Sequence, residues 1–210
     1  MKLYKLTDKY GKTYDDTQWG ENVTHKAEGE GVTLCTDGVI HTYEHPLLAA
    51  FFNPMHADFK EPRLWESKGN IVVREGQVKC GCKELTTLRE IPLPELTIEQ
   101  RVKASIILAK RIETDEKWNA WADKWLSGED RSAAAAWSAA LSPAFAAEAA
   151  ARSAEAARSA EATMSAVYAA FAAEAAWSAI YAAFAAEAAW YRKNLDILAV
   201  LKQVTEWKGD

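Results

Sequence analysis

Val167-Tyr168-Ala169-Ala170-Phe171-Ala172-Ala173-Glu174-Ala175-Ala176-Trp177-Ser178-Ala179 is followed at once by Ile180-Tyr181-Ala182-Ala183-Phe184-Ala185-Ala186-Glu187-Ala188-Ala189-Trp190, an almost letter-for-letter repeat. A fainter echo runs upstream, where Glu148 and Glu161 keep the spacing of Glu174 and Glu187, and Phe145 matches Phe171 and Phe184. The stretch 132–190 is about half alanine, has no glycine and one proline, Pro143. Alanine is the best helix former, so the tract is expected to be α-helical. From the Ser142-Pro143 restart, serine as cap and proline at the first helical position, nothing breaks a helix before Asn194.

Large residues recur in the tract at steps of three, three, three and four: Tyr168, Phe171, Glu174, Trp177, Tyr181, Phe184, Glu187, Trp190. The mean step of about 3.25 is shorter than the helical period of 3.6. The ridge therefore slips around the helix, and a heptad coiled coil, which needs a period near 3.5, does not fit. Alanine pairs between the rings let a neighbouring backbone approach closely. No basic residue stands near Glu174 or Glu187, so Tyr168, Glu174, Trp177, Tyr181, Glu187 and Trp190 form the expected partner-binding surface.

Upstream of the tract, Thr97-Ile98-Glu99-Gln100 has the form of a capping box, opening a helix with Val102, Ile106, Leu108, Ala109 and Ile112 on its apolar face. Asp115 is the expected cap of a second helix carrying Trp118, Trp121 and Trp125 on one side, ended by Ser127-Gly128. Those three rings are read as core, with an exposed aromatic platform as the alternative. Asp130 is the expected cap of the tract itself. After it, Asn194 and Asp196 precede a final helix, Leu195 to Glu206, able to fold back on the tract as a helical hairpin or bundle.

The first ninety residues read differently. Leu3 to Thr7 alternates as a strand does and ends in the turn Asp8-Lys9-Tyr10-Gly11. Val32 to Thr36 and Val39 to Tyr43 flank Asp37-Gly38, a favoured hairpin dipeptide. Pro46 to Phe52 is a short helix closed by Asn53-Pro54. Three more strands are expected at Arg63–Ser67, Asn70–Arg74 and Leu85–Ile91, with turns at Lys68-Gly69 and Glu75-Gly76. Trp19, Phe51, Phe52, Phe59 and Trp65 supply the expected core, and Pro92 with Pro94 makes a stiff exit. The fold class is thus α+β: a small mixed-sheet domain over 1–94, followed by an all-α, alanine-rich domain over 95–210.

Composition narrows the function. A net charge of −5 argues against a sequence-independent grip on nucleic acid, which needs a basic stripe. No apolar run reaches the length of a membrane span, and Met1-Lys2-Leu3-Tyr4-Lys5 lacks a signal-peptide core. Three cysteines, two of them one residue apart, make no disulfide framework, so the expected setting is the cytoplasm. Cys35, His41, His45, His56, Cys80 and Cys82 lie within one stretch, but Cys80-Gly81-Cys82 is tighter than the usual zinc knuckle, and no metal or cofactor is expected. Gly29-Glu30-Gly31 is too short for a phosphate loop. No catalytic residue is assigned. The alternative is a nucleotide-binding or ADP-ribosyltransferase-like enzyme on the first domain, with His41, Glu44 and His56 in one cleft and the helices as an oligomerisation device.

Two stretches carry a resemblance. Glu99 to Ala136, with Trp118-Asn119-Ala120-Trp121-Ala122-Asp123-Lys124-Trp125-Leu126-Ser127-Gly128-Glu129-Asp130-Arg131-Ser132, resembles a family of small proteins encoded by tailed bacteriophages and prophages. Trp19-Gly20-Glu21, Leu34-Cys35, Gly38-Val39-Ile40-His41, Asn53-Pro54-Met55-His56-Ala57 and Leu64-Trp65-Glu66 are similar to a domain of unassigned function in the same kind of phage proteins. The alanine repeats also resemble immunity proteins of bacterial polymorphic toxin systems. The resemblance implies a mobile-element accessory protein acting inside a bacterium. With no confined cleft of paired titrating groups and an extended helical surface, the expected role is non-enzymatic: binding and inhibiting a host defence or toxin protein, with homo-oligomerisation open.

Overall fold

The computed structural model describes residues 1–136, 138–139, 185 and 195–208. The chain divides into two compact units, Met1–Glu95 and Leu96–Asp210. The first is α+β: strands β1 (Lys2–Thr7), β2 (Val23–Lys26), β3 (Ile40–Thr42), β4 (Arg63–Glu75) and β5 (Lys79–Ile91), with helix α1 (Pro46–His56) between β3 and β4. Every pairing is antiparallel, so the sheet is not mixed. β1 pairs with β4, β4 with β5, and β5 carries β2 and β3.

Strand β5 organises this unit. Its register with β2 runs from Val23↔Thr87 to Lys26↔Glu84, and with β3 from Ile40↔Cys82 to Thr42↔Cys80. β2 and β3 thus follow one another along one edge of β5, with Lys83 alone between their partner segments. Beyond β3, the isolated bridge Tyr4↔Tyr43 joins back to β1, and the sheet closes on itself at that end. One face gathers Leu3, Cys80, Cys82 and Leu85, clustered with buried Trp19; the register shift between Gly69 and Ile71 brings Cys82 and Leu85, three residues apart, to that same face. The other carries Tyr4, Leu6 and Leu64, all buried, on the side of α1, whose Leu47, Leu48, Phe51 and Phe52 are wholly enclosed.

Several expectations of the sequence change here. Asp37-Gly38 does not turn a hairpin: residues 32–36 form no strand, and 40–42 pair with β5 instead. Lys68-Gly69 is not a turn either. β4 runs straight through it, with register irregularities on both sides, because a Cβ on Gly69 would lie 2.8 Å from the Glu84 carbonyl oxygen, the close approach for which a strand keeps a glycine. β5 begins at Lys79, earlier than the expected Leu85. Helix α1 continues through Pro54 to His56. Asn53 does not end it; its side chain brackets Phe59, accepting from the amide at 3.2 Å and donating to the carbonyl at 2.9 Å. Phe59 is only half-buried, while Trp19, Phe51, Phe52 and Trp65 are core.

Gly81 marks the tightest point. It faces His41 across the sheet, and an added Cβ would sit 2.9 Å from both Val39 and Val73 side chains. Gly81→Ala is therefore expected to destabilise the unit by about 1–3 kcal/mol through overpacking, read as a lower urea midpoint with unchanged slope. An unaltered midpoint would show that β3 gives way freely.

In the second unit, helices α2 (Ile98–Lys110), α3 (Glu116–Ser127) and α4 (Ile197–Thr205) are described. The capping box is present: Gln100 N–H donates to Thr97 Oγ1 at 3.1 Å, and Thr97 N–H to Gln100 Oε1 at 2.9 Å. Asp115 caps α3 through Trp118 N–H at 2.7 Å, and Asp196 caps α4 through Ala199 N–H at 2.9 Å. Gly128 ends α3 in the left-handed conformation, φ +85°. Asp130 is not the next cap. It accepts from Ser132 N–H, and Ser132 Oγ caps the helical residues that follow at Ala135 N–H, 3.3 Å. α2 packs against both α3 and α4, burying Val102, Ile106 and Leu108 with Trp118, Ile197, Val200 and Leu201. Among the described residues no helix is long and apolar enough to cross a membrane.

Candidate functional site

The histidines that the sequence offers for chemistry meet on the α1 side of the sheet. In β3, Ile40 and Thr42 share one face, which leaves His41 and Tyr43 on the other. His41 Nε2 accepts the Cys35 amide at 2.9 Å, so the neutral ring carries its proton on Nδ1. The His41 carbonyl accepts from Lys5 Nζ at 2.9 Å. Lys5 is almost fully buried, with its ammonium 5.3 Å from the centre of the Trp19 ring, and burial lowers its pKa to about 8.

His56, in the last turn of α1, lies between two aromatic rings. Phe52 stacks on it at 5.3 Å and 13°, Tyr43 at 5.9 Å and 17°. Its Nδ1 shares a 2.9 Å hydrogen bond with the Tyr43 hydroxyl, and its buried Nε2 has no hydrogen-bond partner. Burial, then the charges of Lys79 and His41, push its pKa down to about 3. His41 is held at about 4 by burial first and by Lys5 and Lys79 next. Burial also raises the Tyr43 phenol. Lys79 itself sits 3.2 Å from Cys35 Sγ and 3.4 Å from the Glu75 carboxylate.

The resulting chemistry is limited. Both imidazoles are neutral at pH 7, far from the pKa near 7 that suits a general acid or base. Glu44, expected beside them, is engaged elsewhere, gripping Arg74 with two hydrogen bonds of 3.1 Å. The structure therefore unites His41 and His56 and sends Glu44 into an ion pair. Lys5, Tyr43 and Lys79 were not among the sequence's candidates. Lys5 alone left a trace, a charge at an inward position between Leu3 and Thr7.

The cysteines divide. Cys35 is exposed, whereas Cys80 and Cys82 are buried, Cys80 with its thiol donating to the Thr42 carbonyl at 3.3 Å. Burial pushes the Cys80 thiol up to about 12 and raises that of Cys82, the reverse of an activated thiol. His45 caps α1, its Nδ1 accepting Leu47 N–H at 3.1 Å. Among the described residues no three His, Cys, Asp or Glu side chains converge as metal ligands.

In the second unit Trp118, Trp121 and Trp125 are buried, so the ring row of α3 is core and not an exposed platform. The expected partner surface of Tyr168, Glu174, Trp177, Tyr181, Glu187 and Trp190 lies outside the described residues, as does the Ser142-Pro143 restart. No protein-family model matches the chain, and no curated protein or solved structure is significantly similar to it.

Proposed function

We propose that this protein is a non-enzymatic interaction protein, a phage-encoded accessory factor that binds and inhibits a bacterial defence or toxin protein in the host cytoplasm. The alanine-rich tract, folded as a helical hairpin or bundle, presents the binding surface. The observation that carries this reading is the commitment of the first unit's reactive side chains to internal partners. Glu44 is paired to Arg74, His41 to the Cys35 amide and His56 to Tyr43. What is left for function is shape, and the ring-studded repeat supplies it. Replacing Trp177, Tyr181 and Trp190 together by alanine is expected to abolish capture of the host partner without changing the melting of the first unit. Undiminished capture would overturn the reading.

A second reading starts from the two histidines of the first unit, His41 on β3 and His56 at the end of α1, whose imidazoles burial first and the Lys79 charge after it keep neutral. A nucleotide-binding or ADP-ribosyltransferase-like activity would use them, with the helices as an oligomerisation device. Under this reading NAD or a cyclic dinucleotide raises the melting temperature by several degrees, and His41→Ala removes the shift. No shift with any nucleotide leaves the interaction reading standing alone, and sedimentation then decides between a monomer and a defined homo-oligomer.

A further inference from the structure

Residues 27–39 leave the edge of β5 after β2 and return to it at β3, across a gap of one β5 residue, Lys83. They interrupt what is otherwise a continuous strand. The segment is pinched at its mouth, where Ala27 N–H donates to the Lys83 carbonyl at 2.8 Å and Gly29 N–H to the Asp37 carbonyl at 3.0 Å. Gly38 lies against the Gly31 backbone so closely that a Cβ would collide with it. Ends held together over a run of this length define an Ω-loop.

Its fastenings are polar. Lys83 Nζ donates to three successive carbonyls, Gly29 at 2.9 Å, Glu30 at 2.8 Å and Gly31 at 2.5 Å, using all three protons of the ammonium. At the far end, Cys35 donates its amide to His41 and receives Lys79 at its sulfur. Cys35 holds φ +62° there, a conformation that costs a non-glycine residue energy and persists only where contacts enforce it. Between the fastenings, residues 31–33 and 35–37 are exposed, and Leu34 is only partly buried. An element with few buried apolar contacts opens at low free energy, independently of the core.

We infer that residues 29–37, between Ala27 on the β5 edge and buried Val39, form a latched lid, closed at its mouth by Lys83 and at its tip by His41 and Lys79, whose opening uncovers those two side chains. Opening breaks no pairing between β5 and either flanking strand. It frees the His41 Nε2 acceptor and takes Cys35 off the Lys79 ammonium, which keeps its Glu75 partner at 3.4 Å; the Nε2 of His56 is already unpartnered. The inference is independent of what the alanine-rich tract binds.

Amide hydrogen exchange on the full chain tests it. In the wild type the Cys35 amide is expected to exchange slowly although its residue is exposed, because its N–H is held by His41 Nε2. Lys83→Met removes the charged donors and keeps the stem, and it is expected to speed exchange over 29–37 at least about tenfold, the effect of losing charge-assisted hydrogen bonds, with 63–75 and 79–91 unchanged. His41→Phe, removing only the acceptor at the tip, is expected to speed Cys35 and spare Gly29. Unchanged loop exchange in Lys83→Met overturns the latch. Equal acceleration across β4 and β5 overturns the lid as a separate element, as does a Cys35 amide that exchanges freely in the wild type.

Discussion

Trp118→Ala is expected to remove about 3–5 kcal/mol from the second unit, the usual cost of truncating a large core aromatic. Trp118 has no exposed surface and meets Trp121 edge to face, 5.5 Å between ring centres and 62° between planes. It starts the buried side of α3 one turn inside the Asp115 cap, so the cavity opens where α3 enters its packing against α2. A loss of that size is a large part of a domain's whole stability. Denaturation followed by tryptophan fluorescence should show the transition of Leu96–Asp210 shifted to far lower denaturant. The sheet amides of Met1–Glu95 should keep their exchange protection. A shift below about 1 kcal/mol would place Trp118 in a site able to collapse around the lost ring.

Acid should unfold the first unit through His41 and His56. Unfolded imidazoles take a proton near pH 6.5, and the folded ones only near 4 and 3. Between those values the unfolded chain binds more protons, so stability falls as pH falls. The stabilisation is complete above pH 6.5 and is lost as pH drops towards 4 and then 3. His56, the more deeply enclosed of the two, contributes the larger share and the partly exposed His41 the smaller. Urea midpoints from pH 7 to 4 should therefore decline steeply, and His56→Gln should flatten the slope. A wild-type midpoint constant down to pH 4.5 would show that both rings protonate in place at little cost.

What could be read from the chain depended on how far apart the interacting residues stand. Thr97, Asp115 and Asp196 are legible as caps because each serves an amide three residues on. Asp37-Gly38 misleads for the converse reason. It favours a local hairpin, but the strand after it finds β5 some forty residues later, and this pairing overrides the dipeptide's preference. Gly69 reads as a turn because a strand glycine at a close approach and a turn glycine look the same in sequence. Val23–Lys26, short and half-exposed, alternates too weakly to be seen. Among the site residues, His41 and His56 stand out by type alone. Lys5 reaches His41 across 36 positions and Lys79 reaches Cys35 across 44, and no spacing rule spans such distances.

The placement of β2 and β3 along one edge of β5 bears on how this unit tolerates change. Because the chain leaves and rejoins that edge at neighbouring points, extra residues inserted within 31–37 would lengthen an excursion without shifting any register. An insertion inside β5 would throw β4, β2 and β3 out of alignment at once. Length variation among descendants of such a fold should accumulate in the detour and spare the spine.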